Sequence, residues 1–194
     1  MKKIFATIIA ALLLWPSMAS AQYSDSYTFL KAVRERDGAK ATEILNKPGS
    51  VIVDTKDVST GESALHIVTK QRDMIWLAFL LAKEAKPDIR DTDGNTPLMI
   101  ATQIGFVEGA DLLLKRRASV DAINSRGETA LILATQQRNV SMVRLLIAAG
   151  ANPRKTDRTA GMSALDYATR DPRAAVILKL LQDAKPAKAA AGPV

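Results

Sequence analysis

The 194-residue chain contains no cysteine and a single histidine, His66. The absence of thiols excludes disulfides, a lipid anchor on an N-terminal cysteine, thiol catalysis and thiolate metal sites. With one histidine, a zinc site would need several carboxylates, and the nearby pair Asp91 and Asp93 is too small a set. Asp91-x-Asp93-Gly94 also lacks the spaced ligands and terminal glutamate of a calcium loop, so turn formation explains it better. We therefore expect no metal and no cofactor.

The sequence also lacks a recognisable catalytic constellation. Ser63 and Ser163 have no candidate base beside them in the sequence and stand where helix caps belong. His66 stands alone, without a second histidine or a thiol nucleophile to form a catalytic group with it. A hydrolase is therefore disfavoured, and we predict that the protein is not an enzyme.

Aromatic residues are scarce, at 5% of the chain, and two of them, Trp76 and Phe79, occur together in an apolar segment. Their helical spacing places them at buried positions, which favours core packing over an aromatic binding platform. Apolar residues in total reach 47% and charged residues 24%, which is ample for a folded core.

Residues 1–21 have the three parts of a secretory signal peptide. Two lysines form the charged start, the twelve residues 4–15 form an apolar run, and Ala19-Ser20-Ala21 matches a cleavage site. Twelve helical residues rise about 18 Å, well short of the roughly 30 Å hydrocarbon core, so a retained membrane anchor is the weaker alternative. We expect cleavage after Ala21 and a mature chain in the periplasm without a membrane span. A eukaryotic secreted protein is the alternative, because its signal peptide has the same physical features.

A short phrase that begins with glycine occurs four times, at intervals of 33, 33 and 34 residues. In each phrase Ser or Thr stands two residues after glycine and Leu two residues further on, and a second apolar segment follows at helical spacing. A fixed period of this size with two short helices per repeat predicts an all-α solenoid. The phrases are GESALHIVTKQ from Gly61, GNTPLMIATQI from Gly94, GETALILATQQ from Gly127 and GMSALDYATRD from Gly161.

Each phrase predicts its own local structure. The glycine supplies the backbone conformation of a tight turn, and the Ser or Thr caps the first helix. Pro97 falls at the first helical position, where its missing donor costs nothing. Neighbouring repeats would cover each other's apolar stripe, and this burial would stabilise the fold by roughly 25 cal/mol for each Å² of apolar surface removed from water. The stripe consists of Leu65, Leu98, Leu131 and Leu165 with Val68, Ala101, Ala134 and Ala168.

The segment Thr96-Pro97-Leu98-Met99-Ile100-Ala101 closely resembles the T-P-L-H-x-A signature of the ankyrin repeat, and residues 63–68 are similar to it. The resemblance implies five helix-turn-helix units joined by β-turn or hairpin loops. The first unit is rich in charge, as an end unit with one wetted face should be, and is predicted to be the N-terminal cap; the last unit is predicted to be the C-terminal cap. The resemblance also implies that His66 forms a hydrogen bond between its helix start and the neighbouring turn. The predicted domain spans residues 22–184, with units at about 26–56, 57–90, 91–123, 124–156 and 157–184, and a disordered Lys/Pro/Ala tail at 185–194.

The sequence departs from the ankyrin pattern at the ends of several helices. Glu84 and Arg117 stand where the family usually has glycine after the second helix, so they either adopt a left-handed conformation or end their helices differently. Between the two helices of a unit, Gly105 is replaced by Arg72 and Arg138 in the neighbouring units.

Ankyrin-repeat proteins usually hold partners with their turn tips and with exposed positions of the first helices, which together form a concave groove. The resemblance therefore implies a monomer that binds another protein and acts as an adaptor, inhibitor or stabiliser of an envelope protein. For any single residue ordinary solvated surface is the simpler interpretation, so the prediction concerns the face as a whole. The candidate protein-binding residues are Lys70, Gln71, Gln103, Ile104, Arg126, Gln136, Gln137, Arg138 and Arg170. The predicted tips are Thr60, Glu62, Asp93, Asn95, Arg126, Glu128, Ala160 and Met162.

The charge balance leaves a second function open. The formal net charge of +7 falls to +5 without Lys2 and Lys3, which favours anionic partners. No nucleic-acid-binding signature is present, so nucleic acid is not an expected partner. The alternative is an envelope structural protein that adheres to anionic cell-wall polymer or lipid through basic turns. These turns contain Lys115, Arg116, Arg117, Arg154, Lys155 and Arg158.

Overall fold

The computed structural model describes residues 15–47 and 52–184 of the chain. These ranges contain ten α-helices and two short 3₁₀ helices, and their only β-pairing consists of two isolated bridges. The predicted all-α, ankyrin-like solenoid is confirmed. The helices are α1 (Trp15–Glu35), α2 (Gly38–Leu45), α3 (Ala64–Lys70), α4 (Met74–Ala82), α5 (Pro97–Gln103), α6 (Val107–Lys115), α7 (Ala130–Gln136), α8 (Val140–Ala148), α9 (Ala164–Arg170) and α10 (Ala175–Asp183), and the 3₁₀ helices are Ile52–Asp54 and Pro172–Ala174.

Two predictions fall wholly or largely outside the described residues. These are the start of the signal segment, residues 1–14, and the tail at residues 185–194. Helix α1 begins at Trp15 and continues past the predicted cleavage position after Ala21.

The helices pair within units and stack between units. The odd-numbered helix of each unit packs on the even-numbered helix that follows it, from α1 with α2 to α9 with α10. The first helices α1, α3, α5, α7 and α9 form one continuous layer, and α4, α6, α8 and α10 form a second. A linear stack of this kind exposes one long face along the first helices and the turns that precede them.

The predicted apolar stripe is the centre of the core. Leu65, Leu98 and Leu131 are at most 1% exposed, whereas Leu165, in the last unit that the structure describes, is half-buried. Four small residues of the stripe are also buried, and this allows neighbouring helices to approach closely. They are Val68, Ala101, Ala134 and Ala168.

Hydroxyl caps begin the first helices as predicted. The Thr129 hydroxyl accepts from the Ile132 N–H at 3.2 Å, and the Ser163 hydroxyl accepts from the Asp166 N–H at 3.2 Å. The Asp166 carboxylate accepts in return from the Ser163 N–H at 2.9 Å, which completes a capping box. Ser163 is thus a structural residue, in agreement with the sequence.

The charged replacements for glycine adopt the left-handed conformation. The φ angles of Glu84 and Arg117 are 63° and 66°, and those of Arg72 and Arg138 are 54° and 55°. Such a conformation costs a residue with a Cβ about 1–2 kcal/mol, so the helix ends keep the family geometry at an energetic cost.

Trp76 and Phe79 are half-buried and pack against the core, so the prediction of core packing is confirmed although neither side chain is fully enclosed. Their rings meet edge to face with centroids 5.2 Å apart and pack against the core from the side. They line a cleft of about 200 Å³ between α2 and α4 together with Thr42 and Ile75. Helix α4 is apolar on all sides, and its outward residue Ile75 is 82% exposed, since no helix of the described ranges covers that side.

Candidate functional site

Four turns, here called fingers 1 to 4, precede the helices α3, α5, α7 and α9. They comprise residues 57–61, 91–94, 124–127 and 157–161. Each begins with an Asp or Asn whose side-chain oxygen accepts backbone N–H groups within the finger, the arrangement of an Asx turn. In finger 3, for example, the Asn124 side chain accepts from the N–H groups of Arg126 and Glu128, both at 3.0 Å.

Backbone hydrogen bonds join each finger to the one before it. Thr92 N–H donates to the Thr60 carbonyl at 3.1 Å, and the same bond recurs from finger 3 to finger 2 and from finger 4 to finger 3 at 2.9 and 2.8 Å. The residue that donates always follows the Asp or Asn, and the residue that accepts always precedes the glycine. The four fingers therefore form one row with a regular spacing.

The finger glycines are required by this close approach as well as by their backbone angles. Gly61, Gly94 and Gly127 have φ between 67° and 77°. A Cβ on Gly94 would lie 2.9 Å from the backbone nitrogen of Ser125 in the next finger. Gly161 has φ 65°, but a Cβ added there would have no atom within 4 Å, since its finger is the last one among the described residues.

His66 connects helix α3 to finger 2, as the resemblance implied. Its Nδ1 accepts from the Ser63 N–H at 3.2 Å, and its Nε2 lies 3.0 Å from the Asn95 carbonyl oxygen. This geometry assigns the hydrogen of the neutral ring to Nε2. Burial lowers the pKa of His66, against the opposing effect of the bond to Asn95. His66 is a structural residue and does not face an open cavity.

Two predicted finger tips do not lie on the surface. Asn95 is 6% exposed and Met162 is 8% exposed, so the prediction that they are contact residues is wrong. The Asn95 carbonyl is occupied by His66, and its side-chain oxygen accepts from the Asn124 amide at 3.2 Å. These two residues follow the finger glycines and turn inward towards the core.

Three of the predicted groove residues hold units together. The Gln71 amide donates to the Arg34 carbonyl at 2.9 Å, and the Gln137 amide donates to the Gln103 carbonyl at 3.0 Å. The Arg138 guanidinium forms an ion pair with Asp171 of the next unit at 2.6 Å. Each bond crosses from one unit to its neighbour, so these side chains are structural, although Gln137 and Arg138 are also exposed.

The other predicted groove residues differ in their exposure and in whether they form ion pairs. Lys70 and Arg126 are exposed but pair with acidic residues of their own units: Lys70, at the end of α3, with Glu62, and Arg126 with Glu128. The hydrogen bond and charge of Glu128 raise the pKa of Arg126. Arg170 is exposed and forms no ion pair within the described ranges. Gln136 is exposed, whereas Gln103 and Ile104 are half-buried.

An apolar cleft of about 700 Å³ lies between α1 and finger 1, at the N-terminal end of the finger row. Tyr27 and Val58 at its edge are 67% and 82% exposed. Arg34 and Asp57 pair within the lining at 2.6 Å, and hydrogen bonds from Ser59 and Arg34 hold the pKa of Asp57 well below its usual range. This cleft was not predicted from the sequence. The available signal was Val58 itself, whose equivalents in the other fingers are Thr92, Ser125 and Arg158.

At the other end of the row, finger 4 is held to helix α9. The Tyr167 hydroxyl donates to the Asp157 carboxylate at 2.6 Å, and this bond raises the pKa of Tyr167. Burial acts to raise the pKa of Asp157, but the bonds from Tyr167 and from three finger N–H groups outweigh it and lower that pKa. The pair orders the finger and does not open to a pocket.

The basic turns of the alternative function are partly engaged within the protein. Lys115 pairs with Asp111 at 2.6 Å, and Lys155 donates to the Asp121 carbonyl at 2.7 Å. The Arg116 guanidinium donates to the Leu81 carbonyl at 3.4 Å. The remaining cations of this set have no acidic partner among the residues that the structure describes. They are Arg117, Arg154 and Arg158.

Two properties of the described residues bear on the chemistry available. Nowhere in residues 15–47 and 52–184 do three acidic or histidine side chains gather closely enough to hold a metal ion. Within the same part of the chain, none of the helices has both the length and the apolar content to cross a membrane.

A comparison with protein families completes the description. A family model described as ankyrin repeats (3 copies) matches residues 29–124 and 116–189, which together make up most of the chain. The matched residues include all four fingers and every helix from α2 to α10.

Proposed function

Because the chain belongs to the ankyrin-repeat family, we propose that it is an exported, non-catalytic module that binds an envelope protein in the periplasm. Ankyrin repeats mediate protein–protein interactions and are generally non-catalytic. The observation that carries the proposal is the row of fingers, whose spacing is set by backbone bonds. Such a row can meet a partner without first becoming ordered, and this reduces the entropic cost of binding.

Export is the second part of the proposal, and the segment 1–21 supports it. Its charged start, apolar run and small-residue end match a signal peptide. In the periplasm the protein would act as an adaptor, an inhibitor or a stabiliser of its partner. A chain without cysteine suits an oxidising compartment, since it has no thiol to protect.

The residues that we propose for partner contact are Arg126 and Arg170. Both are exposed on the groove face, and neither forms the bonds between units that occupy Gln71, Gln137 and Arg138. A charged side chain at an interface chiefly determines association rate and specificity, and reversal of its charge leaves a repulsive contact.

We expect the double substitution Arg126→Glu and Arg170→Glu to weaken partner binding about tenfold or more while the melting temperature changes little. The partner would first be captured from an envelope fraction with the processed protein, whose N-terminus by mass spectrometry should be Gln22. The affinity would then be measured by calorimetry with the purified partner. Arg144→Glu on the outer helix α8 is a matched control that should bind normally. Unchanged affinity of the double variant would contradict the groove face.

The alternative, adhesion to anionic wall polymer or lipid, responds differently to salt. Adhesion through Arg117, Arg154 and Arg158 should fall steeply by a few hundred millimolar salt, where the screening length shortens to a few Å. A protein interface with buried apolar contacts should persist. Sedimentation with anionic vesicles and with cell-wall sacculi across a salt series distinguishes the two functions.

A further inference from the structure

Finger 1 has an open position in the row of backbone bonds. In fingers 2, 3 and 4 the residue after the Asp or Asn donates its N–H to the preceding finger. The equivalent residue of finger 1 is Val58, and no finger precedes it among the residues that the structure describes. The Val58 N–H has no acceptor within the described part of the chain. It is therefore an unpaired donor at the edge of a regular ladder, where another extended segment can add.

The surface beside this donor is apolar, unlike that of the other fingers. Val58 and Tyr27 are exposed at the edge of the N-terminal cleft, and Leu30 lies at its base. The equivalents of Val58 in the other fingers are Thr92, Ser125 and Arg158, which are polar or charged. The volume of about 700 Å³ exceeds what one large side chain fills. Two exposed apolar residues at a concave site are typical of an anchor pocket.

The charge of the lining selects among possible occupants. Arg34 and Asp57 neutralise each other within the cleft. Lys56 is exposed, lines the same cleft and has no acidic partner among the described residues. The lining therefore carries one uncompensated positive charge next to an apolar surface, which favours an occupant with an apolar group and a nearby carboxylate.

We infer that finger 1 binds an extended segment of the partner protein that adds to the finger row. A backbone carbonyl of this segment accepts from the Val58 N–H, a large apolar side chain enters the cleft beside Tyr27, and an adjacent Asp or Glu pairs with Lys56. This is peptide recognition by addition to a backbone edge, in which main-chain bonds give affinity and the pocket gives specificity. The inference rests on the proposed function and assigns the partner contact to one end of the groove.

The test uses a phage-displayed library of random linear 12-residue peptides, selected on the protein as purified from the producing cell. Selected peptides should share a large apolar residue next to Asp or Glu. Val58→Pro removes the N–H but keeps apolar bulk, and proline suits the position after an Asp in a turn. It should weaken peptide binding three- to tenfold, as expected for one hydrogen bond. Tyr27→Ser should weaken binding about tenfold, and Lys56→Glu should abolish the preference for acidic residues.

Two further measurements keep the result interpretable. Val176→Ser, which removes an exposed apolar side chain of α10 at the other end of the stack, is the matched control for Tyr27→Ser and should bind the peptides like the original protein. Hydrogen exchange at the Val58 amide, followed by NMR, should slow at least tenfold when the peptide saturates the protein. Melting temperatures of all variants show whether any of them fails to fold, and in that case the amide exchange alone decides.

Several results would overturn the inference. These are failure to select any peptide, selected peptides without the apolar and acidic pair, or unchanged exchange at Val58 in the complex. Self-association that Val58→Pro removes would assign the open edge to a second copy of the chain and overturn it as well. Suppose that the inference fails but the double substitution at Arg126 and Arg170 still weakens binding of the intact partner protein. The proposed function is then supported, and only the role of the cleft is excluded. If the double substitution does not weaken binding, the groove face itself is excluded.

Discussion

At the scale of single residues, the buried polar groups are used for structure. His66 shows this most clearly, since its two ring nitrogens connect the Ser63 cap to the Asn95 carbonyl of the next finger. The equivalent positions in the next two units hold Met99 and Ile132, which are also buried. The imidazole therefore stabilises the contact between two particular units, and the repeat as such does not require it.

The titration of His66 gives a prediction for stability as a function of pH. The pKa in the folded state lies below the ordinary value near 6.5, so the unfolded chain takes up a proton first as the pH falls. A second ring proton would also face the Ser63 N–H, which Nδ1 now accepts. We expect the free energy of unfolding to be level above pH 7 and to fall between pH 6.5 and 5, by at most about 1.4 kcal/mol per pH unit.

Urea denaturation at a series of pH values checks this prediction. The control is His66→Met, which introduces the residue type that Met99 has at the equivalent position of the next unit. The free energy of unfolding of this variant should not change across the same pH range. The carboxylates of Asp57 and Asp157 have lowered pKa values, so their stabilisation is present at neutral pH and is lost only below about pH 4. A slope between pH 6.5 and 5 that persists in His66→Met would refute the assignment.

At the scale of elements, the finger is the unit that the repeat reproduces most faithfully. Its glycine combines a positive φ with close contact to the backbone of the next finger. Only the first of these requirements applies to Gly161, whose finger ends the row. Glycines that look equivalent in the sequence therefore differ in the free energy that a Cβ would cost.

Alanine at two glycines tests this distinction. Gly94→Ala should destabilise the protein by about 2–3 kcal/mol, since it adds backbone strain and displaces the bond from Ser125 to Asp93. Gly161→Ala should cost about 1 kcal/mol or less, because strain is its only penalty and the unfolded chain loses some freedom. Midpoints of urea denaturation measure both, and equal costs would mean that the fingers do not contact each other as described.

At the scale of the whole molecule, stability is distributed along a line. Each interior unit packs against a neighbour on both sides, whereas within the described part of the chain the first and last units each pack against one, and Leu165 of the last unit is half-buried. Such stacks behave as chains of nearest-neighbour interactions, so the free energy of opening should rise from the ends to the middle.

Native-state hydrogen exchange can measure this gradient. We expect the amides of α5 and α7 to exchange most slowly and those of α9 and α10 to exchange faster by one to two orders of magnitude, since the last unit has a single neighbour. Leu98 and Leu131 report on the middle of the stack. Uniform protection from α3 to α10 would instead indicate a single cooperative globule.

The sequence by itself determined the repeat, the all-α class, the caps and the turn glycines, because these depend on residues a few positions apart. The caps Thr129 and Ser163 were predicted from that local pattern, whereas the bond of His66 to the next finger was implied by the resemblance to ankyrin repeats.

Only the tertiary structure decided how neighbouring units meet. In the folded protein Asn95 is buried, and the side chains of Gln137 and Arg138 form bonds between units. The Val58 N–H lies beside an apolar cleft without an acceptor among the described residues. These outcomes depend on atoms about 30 residues apart in the chain, whose distances no local pattern specifies. Residues at equivalent positions of the repeat therefore have different contacts, because units at the ends of the stack have fewer neighbours than those in the middle.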